Sequence, residues 1–405
     1  MRSIIHAAFA ALLLANLRSQ PAAAAALQHD DVKTAVMQTV RPLMKQYGIA
    51  GMAVGVTVDG RHYVFNYGVA SKATGSPVDS STLFEIGSIT KTFTASLVSY
   101  AQLTGKLSLS DTVSSDLPIL RGTSFDHIRL INLGTHTAGG LPLQFPNDVK
   151  SDGEAIKYYE QWKPLHSPGT FRLYSNPSIM LLGLIAAKKM DADFATLMQR
   201  ELFTPLGLSN TLLVVPKNQF SRYAQGYTGA DKPRRLSSGP LAAEAYGIRT
   251  TATDMLRFID ANMGLLKLDD ALRRAIIDTH TGYYQIGMMT QDLIWEQYRY
   301  PISLSGLLQG KSDRVAFEEN PALRIYPPSQ PKSNVVIDKT GSTSGFGAYV
   351  AFIPQRKMGI VLVANKSYPT EARVTAAYRI LTRLTQKASF ASTHVRERAS
   401  RRPGA

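Results

Sequence analysis

Two kinds of hydrophobic spacing alternate along this chain. From Met52 to Gly68, β-branched and aromatic residues fill two short runs, MAVGVTV and RHYVFNYG, around Asp59-Gly60. That dipeptide suits a two-residue hairpin turn, whose central positions need positive φ. Near the other end, NVVIDKTG, FGAYVAFI and MGIVLVAN predict three more strands at short spacing. Helical spacing governs about Val32 to Tyr47, about Ile89 to Thr104 before Gly105, and the run IMLLGLIAA. It returns from about Glu371 to Lys387, where Val374, Ala377, Leu381 and Leu384 recur every three or four residues. Strands at both ends need each other as partners, so the pattern predicts an α/β (α+β) fold. One antiparallel sheet (about 27–85 and 310–387) is flanked by N- and C-terminal helices, and a mostly helical domain (about 86–309) is inserted between its halves.

The extreme ends read differently. Arg2, an apolar run from Ile4 to Leu14 and the small-residue stretch PAAAAA ending at Ala26 have the layout of an export signal, residues 1–26, cleaved near Ala24 to Ala26. The run is shorter than the roughly 20 residues a bilayer span needs, so no stable membrane insertion is expected after cleavage. After about Ala388 the composition turns small, polar and basic, which predicts a disordered tail over 388–405. The mature unit is then 27–387.

Composition removes several chemistries. The 405 residues are 44% hydrophobic, enough for a core burying roughly three quarters of the unfolded surface. There is no cysteine, which excludes disulfides, a thiolate nucleophile, iron–sulfur clusters, thiolate zinc sites and the lipid anchor of a bacterial lipoprotein. A nucleophile must be an oxygen or an amine. The formal charge of +15 raises the question of nucleic acid, but the dense basic runs are KPRR at 232–235 and RERASRR at 396–402. Neither is interleaved with the aromatics of a base-stacking groove, so no nucleic-acid partner is expected.

Ser88 and Lys91, in FEIGSITKTFTA (84–95), stand three residues apart where a turn becomes a helix. Such spacing puts both on one face. A serine becomes nucleophilic when a neighbouring base takes its proton, and a lysine whose pKa is lowered by burial or a second cation can be that base. The helix start also points N–H groups at a developing negative charge. The spacing alone is weak: Ser329 and Lys332 in SQPK repeat it beside Pro331, which does not suit a helix interior. Two further stretches add to it. RLYSNPS carries Tyr174 and Asn176 between the turn SPGT and an apolar run, so a phenol and an amide stand at a loop or helix start. DKTGST ends a strand with Lys339, Thr340 and Gly341, a cation and hydroxyl suited to a carboxylate and a glycine that admits close approach.

The set SITK, YSN, KTG resembles the serine β-lactamase and penicillin-binding superfamily, and specifically the class C β-lactamases. Tyr-x-Asn stands in place of the Ser-Asp-Asn of class A, and no SDN occurs in the chain. The likeness continues through TAGGLPLQFP, AEAYGI, GFGAYVAFIP and ANKSYP, and spans about Val32 to Leu384. It implies a periplasmic hydrolase of cyclic amides with its site at the domain interface, a β-lactam as its small-molecule partner, a monomeric state, and neither cofactor nor metal. In that reading Ser88 is acylated by penicillins and cephalosporins. Lys91 and Tyr174 share the proton transfers, with the identity of the base left open. The N–H groups of Ser88 and Ser342 hold the oxyanion. Asn176 and Gln144 hold the antibiotic's side-chain amide, Lys339 and Thr340 meet its carboxylate side, Gly341 lets it approach the backbone, and Tyr246 lines the wall. Thr370 and Arg373 lie near the carboxylate pocket.

Three positions depart from the family's habit: His136 replaces a tyrosine before TAGG, Ser344 replaces a glycine after KTGST, and Thr370 replaces an asparagine. His136 is expected to be a structural residue beneath the site. The same serine, lysine and tyrosine could serve a D-alanyl-D-alanine peptidase or an esterase of this fold, and a non-catalytic receptor for peptidoglycan fragments or β-lactams is a third alternative.

Overall fold

The computed structural model describes residues 27–237 and 239–400, so the 1–26 leader lies outside the described residues. Nine strands form one antiparallel sheet in the order Leu323–Ser329, Gly282–Ile286, Met289–Gln291, Glu296–Arg299, Val335–Ser342, Gly347–Ile353, Met358–Ala364, Gly51–Val58, Arg61–Gly68. The last two are the hairpin expected at Asp59-Gly60, whose φ values are 50° and 75°. Met52 stands opposite Tyr67 in that hairpin and opposite Ala364 on its other side. Strands from early and late in the sequence therefore pair in one sheet, with Arg61–Gly68 at its edge.

Strand alternation assigns residues to two cores. On one face Met52, Val54, Val56, Tyr349, Ala351, Ile360 and Leu362 pack under the helices His29–Tyr47 and Thr370–Ser400. On the other, Ala53, Val350, Phe352, Val361 and Val363 meet Leu256 and Ile259 of the helix Ala252–Asn262. Because both faces are covered, these strands are continuous apolar runs without a polar side. A third core, with Leu130, Leu133, Ile179 and Leu182, lies within the helical region. The helix Thr90–Leu103 joins the last two cores: Phe93 and Leu97 enter one, Ala95 and Val98 the other. Burial all round fixes the orientation of whatever stands at its start.

Two boundaries differ from the sequence reading. Residues 282–299, expected within the helix-rich region, supply three strands of the main sheet. They are short, turn at Gly287 (φ 55°), and carry Gln291, Glu296 and Gln297, polar residues that are buried. Their polarity hides the strand pattern, because it is satisfied by side chains distant in sequence. The C-terminal helix continues to Ser400, past the expected change at Ala388. Extending an existing helix needs no new nucleus, and Ala, Arg and Glu are good helix formers. No helix among the described residues is long and apolar enough to cross a membrane.

Candidate active site

The site forms where the strand Val335–Ser342 ends against the turn Gly87–Ile89 that opens the Thr90–Leu103 helix. Two glycines permit the approach. A Cβ on Gly341 would stand 1.9 Å from the carbonyl oxygen of Ile86, and one on Gly87 would stand 2.6 Å from the backbone nitrogen of Ser342. Gly87 also has φ 51°, a conformation that costs glycine little. The backbones of Gly87 and Ser342 thus touch, which sets Ser88 beside the strand end.

Lys91 is fully buried and its Nζ donates to Ser88 Oγ at 3.0 Å and to the carbonyl of Ala245 at 3.0 Å. Ser88 itself is half-buried, within reach of a ligand. Burial pulls the lysine down to about 8, with Lys339 adding to the effect and Tyr174 opposing it. Tyr174 lies between cations: Lys339 Nζ is 5.0 Å from its ring centroid, Lys91 Nζ 5.3 Å and the Arg172 guanidinium 5.6 Å. Burial alone would raise this phenol, but Lys339 and Lys91, helped by the Ser88 hydroxyl, bring it down to about 8. Its oxygen is buried, with the Ser88 hydroxyl and the Lys91 amine as polar neighbours. Two groups that can exchange a proton near neutrality therefore flank one serine hydroxyl, and their titrations belong to the pair.

The remaining residues singled out by sequence sort into those at the opening and those behind it. Asn176 begins the helix Asn176–Lys189, is buried, and has an Oδ1 without a partner among the described residues. Thr340 and Tyr246 are half-buried, and Gln144 is exposed on the loop after Leu141. Lys339 is buried, its Nζ donating to the Thr340 carbonyl at 3.2 Å. Ser342 is exposed at the strand end, and Thr370 is half-buried at the start of the C-terminal helix. Arg373 is placed differently from the expectation of a ligand contact. It is buried, and its guanidinium donates to the carbonyls of Gly341 (2.5 Å), Ala348 (3.2 Å) and Tyr368 (2.6 Å) and to Ser342 Oγ (3.0 Å). It clamps the strand end from behind. His136 is buried with φ 59° and its ring 4.4 Å from that of Tyr174. Burial, then Arg172, Lys91 and Lys339, hold it well below the usual range, so it is neutral, and its Nδ1 accepts the Ser175 N–H at 3.3 Å. Ser344 is exposed in the turn beyond Ser342, and the decoy Lys332 is exposed after a strand that ends at Ser329.

A buried charge block beneath the site escaped the sequence reading. Arg172 pairs with Glu296 at 3.2 Å and donates to Gln291 Oε1 at 2.7 Å; Lys311 pairs with both Glu296 and Asp338. Arg172 opens RLYSN and Asp338 precedes KTG, a signal that could have been followed. Lys311 stands in no motif and becomes visible only when its strand partners are known.

The sequence profile of the β-lactamase family matches residues 36–384. A β-lactamase of Pseudomonas fluorescens is 50% identical over 356 residues, covering 88% of this chain and 99% of that protein. The crystal structure of the D-alanine carboxypeptidase AmpC from Burkholderia cenocepacia superposes with a TM-score of 0.84 at 50% identity, covering 88% of this chain and 99% of that one. A class C β-lactamase in complex with cefoxitin superposes with a TM-score of 0.86 at 47% identity over the same shares. The fold, the Ser88–Lys91–Tyr174 arrangement and these likenesses agree, and the chain belongs to the β-lactamase family, in its class C branch.

Proposed function

We propose that this protein is an exported, periplasmic serine β-lactamase that opens the lactam amide of penicillins and cephalosporins through an acyl-enzyme on Ser88. The observation that carries the proposal is the 3.0 Å contact from Lys91 Nζ to Ser88 Oγ beside a tyrosine brought down to about 8. Ser88 Oγ attacks the lactam carbonyl as its proton passes to the Lys91–Tyr174 pair. The tetrahedral oxyanion is held by the N–H groups of Ser88 and Ser342. The C–N bond then breaks, the pair returns the proton to the leaving nitrogen, and the serine ester remains. A water attacks that ester, its proton passing to the same pair, and Ser88 leaves with a proton regained. Asn176 and Gln144 receive the antibiotic's side-chain amide, Lys339 and Thr340 its carboxylate side, and Gly341 admits it to the strand, with Tyr246 as a wall. Thr370 borders the carboxylate pocket, and Arg373 supports that pocket from behind. The enzyme acts as a monomer, needs no metal or cofactor, and loses residues 1–26 on export.

A second reading, a D-alanyl-D-alanine peptidase that β-lactams inhibit, is favoured by the Burkholderia cenocepacia carboxypeptidase at 50% identity. Purified protein given a chromogenic cephalosporin and followed by mass spectrometry decides between them. Steady turnover with a transient adduct on Ser88 supports the β-lactamase. A single, long-lived stoichiometric adduct would replace it with the peptidase, and absence of any adduct would remove both.

A further inference from the structure

We propose that Lys311 is a positioning residue for the acylation chemistry: seated between Glu296 and Asp338, it balances their charge together with Arg172, so that Lys91 and Lys339 dominate the field at Tyr174. The inference rests on the reading of Tyr174 as part of the proton-transfer pair. Glu296 and Asp338 are register partners on adjacent antiparallel strands, and both are buried. Like charges directly opposite one another repel. Lys311, with 3% of its side chain exposed, lies between them and donates to both.

The surroundings leave few other charges to consider. Facing Lys311 besides the two carboxylates is the ring of Tyr298, 5.2 Å from its Nζ. Asp338 also accepts from Tyr349 at 2.6 Å, while Glu296 also holds Arg172. Arg172 is fixed in turn by Gln291 and by the carbonyl of Val315 at 2.8 Å, and lies over Tyr174. On its other sides Tyr174 meets Lys91, Lys339, Ser88 and the neutral ring of His136. Arg172, Glu296, Lys311 and Asp338 thus form a block with no net charge. Glu296 opposes the lowering of the Tyr174 pKa, so an uncompensated negative charge in the block would raise it further. Electrostatic force extends through a dry interior with little screening, and a residue outside the site can tune the reacting groups.

Removing one sign or the other should move the reaction in opposite directions. Lys311→Met leaves the block negative and should shift the acid limb of the kcat/KM profile, measured with a chromogenic cephalosporin, to higher pH by about half a unit. On that limb this is roughly a threefold loss. Asp338→Asn leaves it positive and should shift the limb to lower pH by a similar amount. Lys311→Met/Asp338→Asn restores neutrality and should return the limb to the wild-type position. Limbs that do not move, that move together, or that the double variant does not restore would overturn the proposal. So would a fall in thermal midpoint with an unmoved profile, which marks a purely structural lysine. If Lys311→Met fails to fold, the direction of the Asp338→Asn shift decides. Wild-type protein that does not turn over would instead remove the β-lactamase reading itself, before any variant is compared.

Discussion

Ser88 and Lys91 are held by two different forces, a helix start and a buried amine that finds Ala245 as its second acceptor. Their roles lead to sharp expectations. Ser88→Ala should abolish turnover, because the covalent route needs an oxygen at that position; near-normal rates in that variant would end the mechanism. Lys91→Ala should lower kcat/KM by about 10²–10⁴-fold through lost proton transfer, whereas Lys332→Ala should leave it within about twofold. Equal losses in the two lysine variants would show that the wrong Ser-x-x-Lys had been assigned. At this scale the sequence was most readable where chemistry is local, as in SITK, YSN and KTG. Arg373 was less so, since the sequence shows a cation near the pocket but not the three carbonyls that occupy it. Lys311 was least so, because its partners come from two other strands.

Among the elements, the contact of the Val335–Ser342 strand with the Ile86–Gly87 turn positions the reacting groups. Gly341→Ala would drive a Cβ into the Ile86 carbonyl, and the strand must retreat. Displacement of a reacting group by about 1 Å can cost 10²-fold, so steady-state assays should find a loss of that order, with a lowered thermal midpoint. A variant with wild-type kcat/KM would mean that the strand end does not position the reaction. The C-terminal helix offers the converse case. Among the described side chains its packing residues, Val374, Ala377, Ile380, Leu381, Leu384 and the partly buried Ala388, reach no further than Ala388, so a chain ending there should keep its activity and nearly its full melting temperature. The hairpin and the central strands were legible because burial on both faces demands apolar runs. The strands at 282–299 were not, because their buried polar side chains look like surface residues until Arg172 and Lys311 are seen beside them.

For the whole molecule, pH acts through a buried carboxylate away from the serine. Glu244 lies against the helix Asn176–Lys189, its Oε2 without a partner among the described residues. Burial, reinforced by Asp152, raises it from 4.5 to about 7. Between those values the folded protein binds more protons than the unfolded chain. The stability gained is therefore complete below about pH 4.5 and is lost as pH rises through 7, about 3 kcal/mol in all. Buried neutral His136 acts in the opposite sense, so the comparison is between variants: from pH 5 to pH 8 the thermal midpoint of Glu244→Gln should rise relative to that of the wild type. Midpoints of the two proteins that keep a constant separation over that range would remove Glu244 as a source of pH dependence.

The pairing of Gly51–Val58 with Met358–Ala364 also governs the order in which the molecule can be made. The first strand emerges from the ribosome long before the neighbour it must hydrogen-bond to, and it has only its hairpin partner until then. Such contacts between distant parts of a chain slow folding, because a long loop must close before they form. A chain stopped at Ile353 would keep Ser88, Lys91, Tyr174 and Lys339, yet leave a gap between Gly51–Val58 and Gly347–Ile353 in the middle of the sheet. The fold thus cannot commit until that late strand has been made, and through that interval the chain stays open to whatever handles unfolded polypeptide.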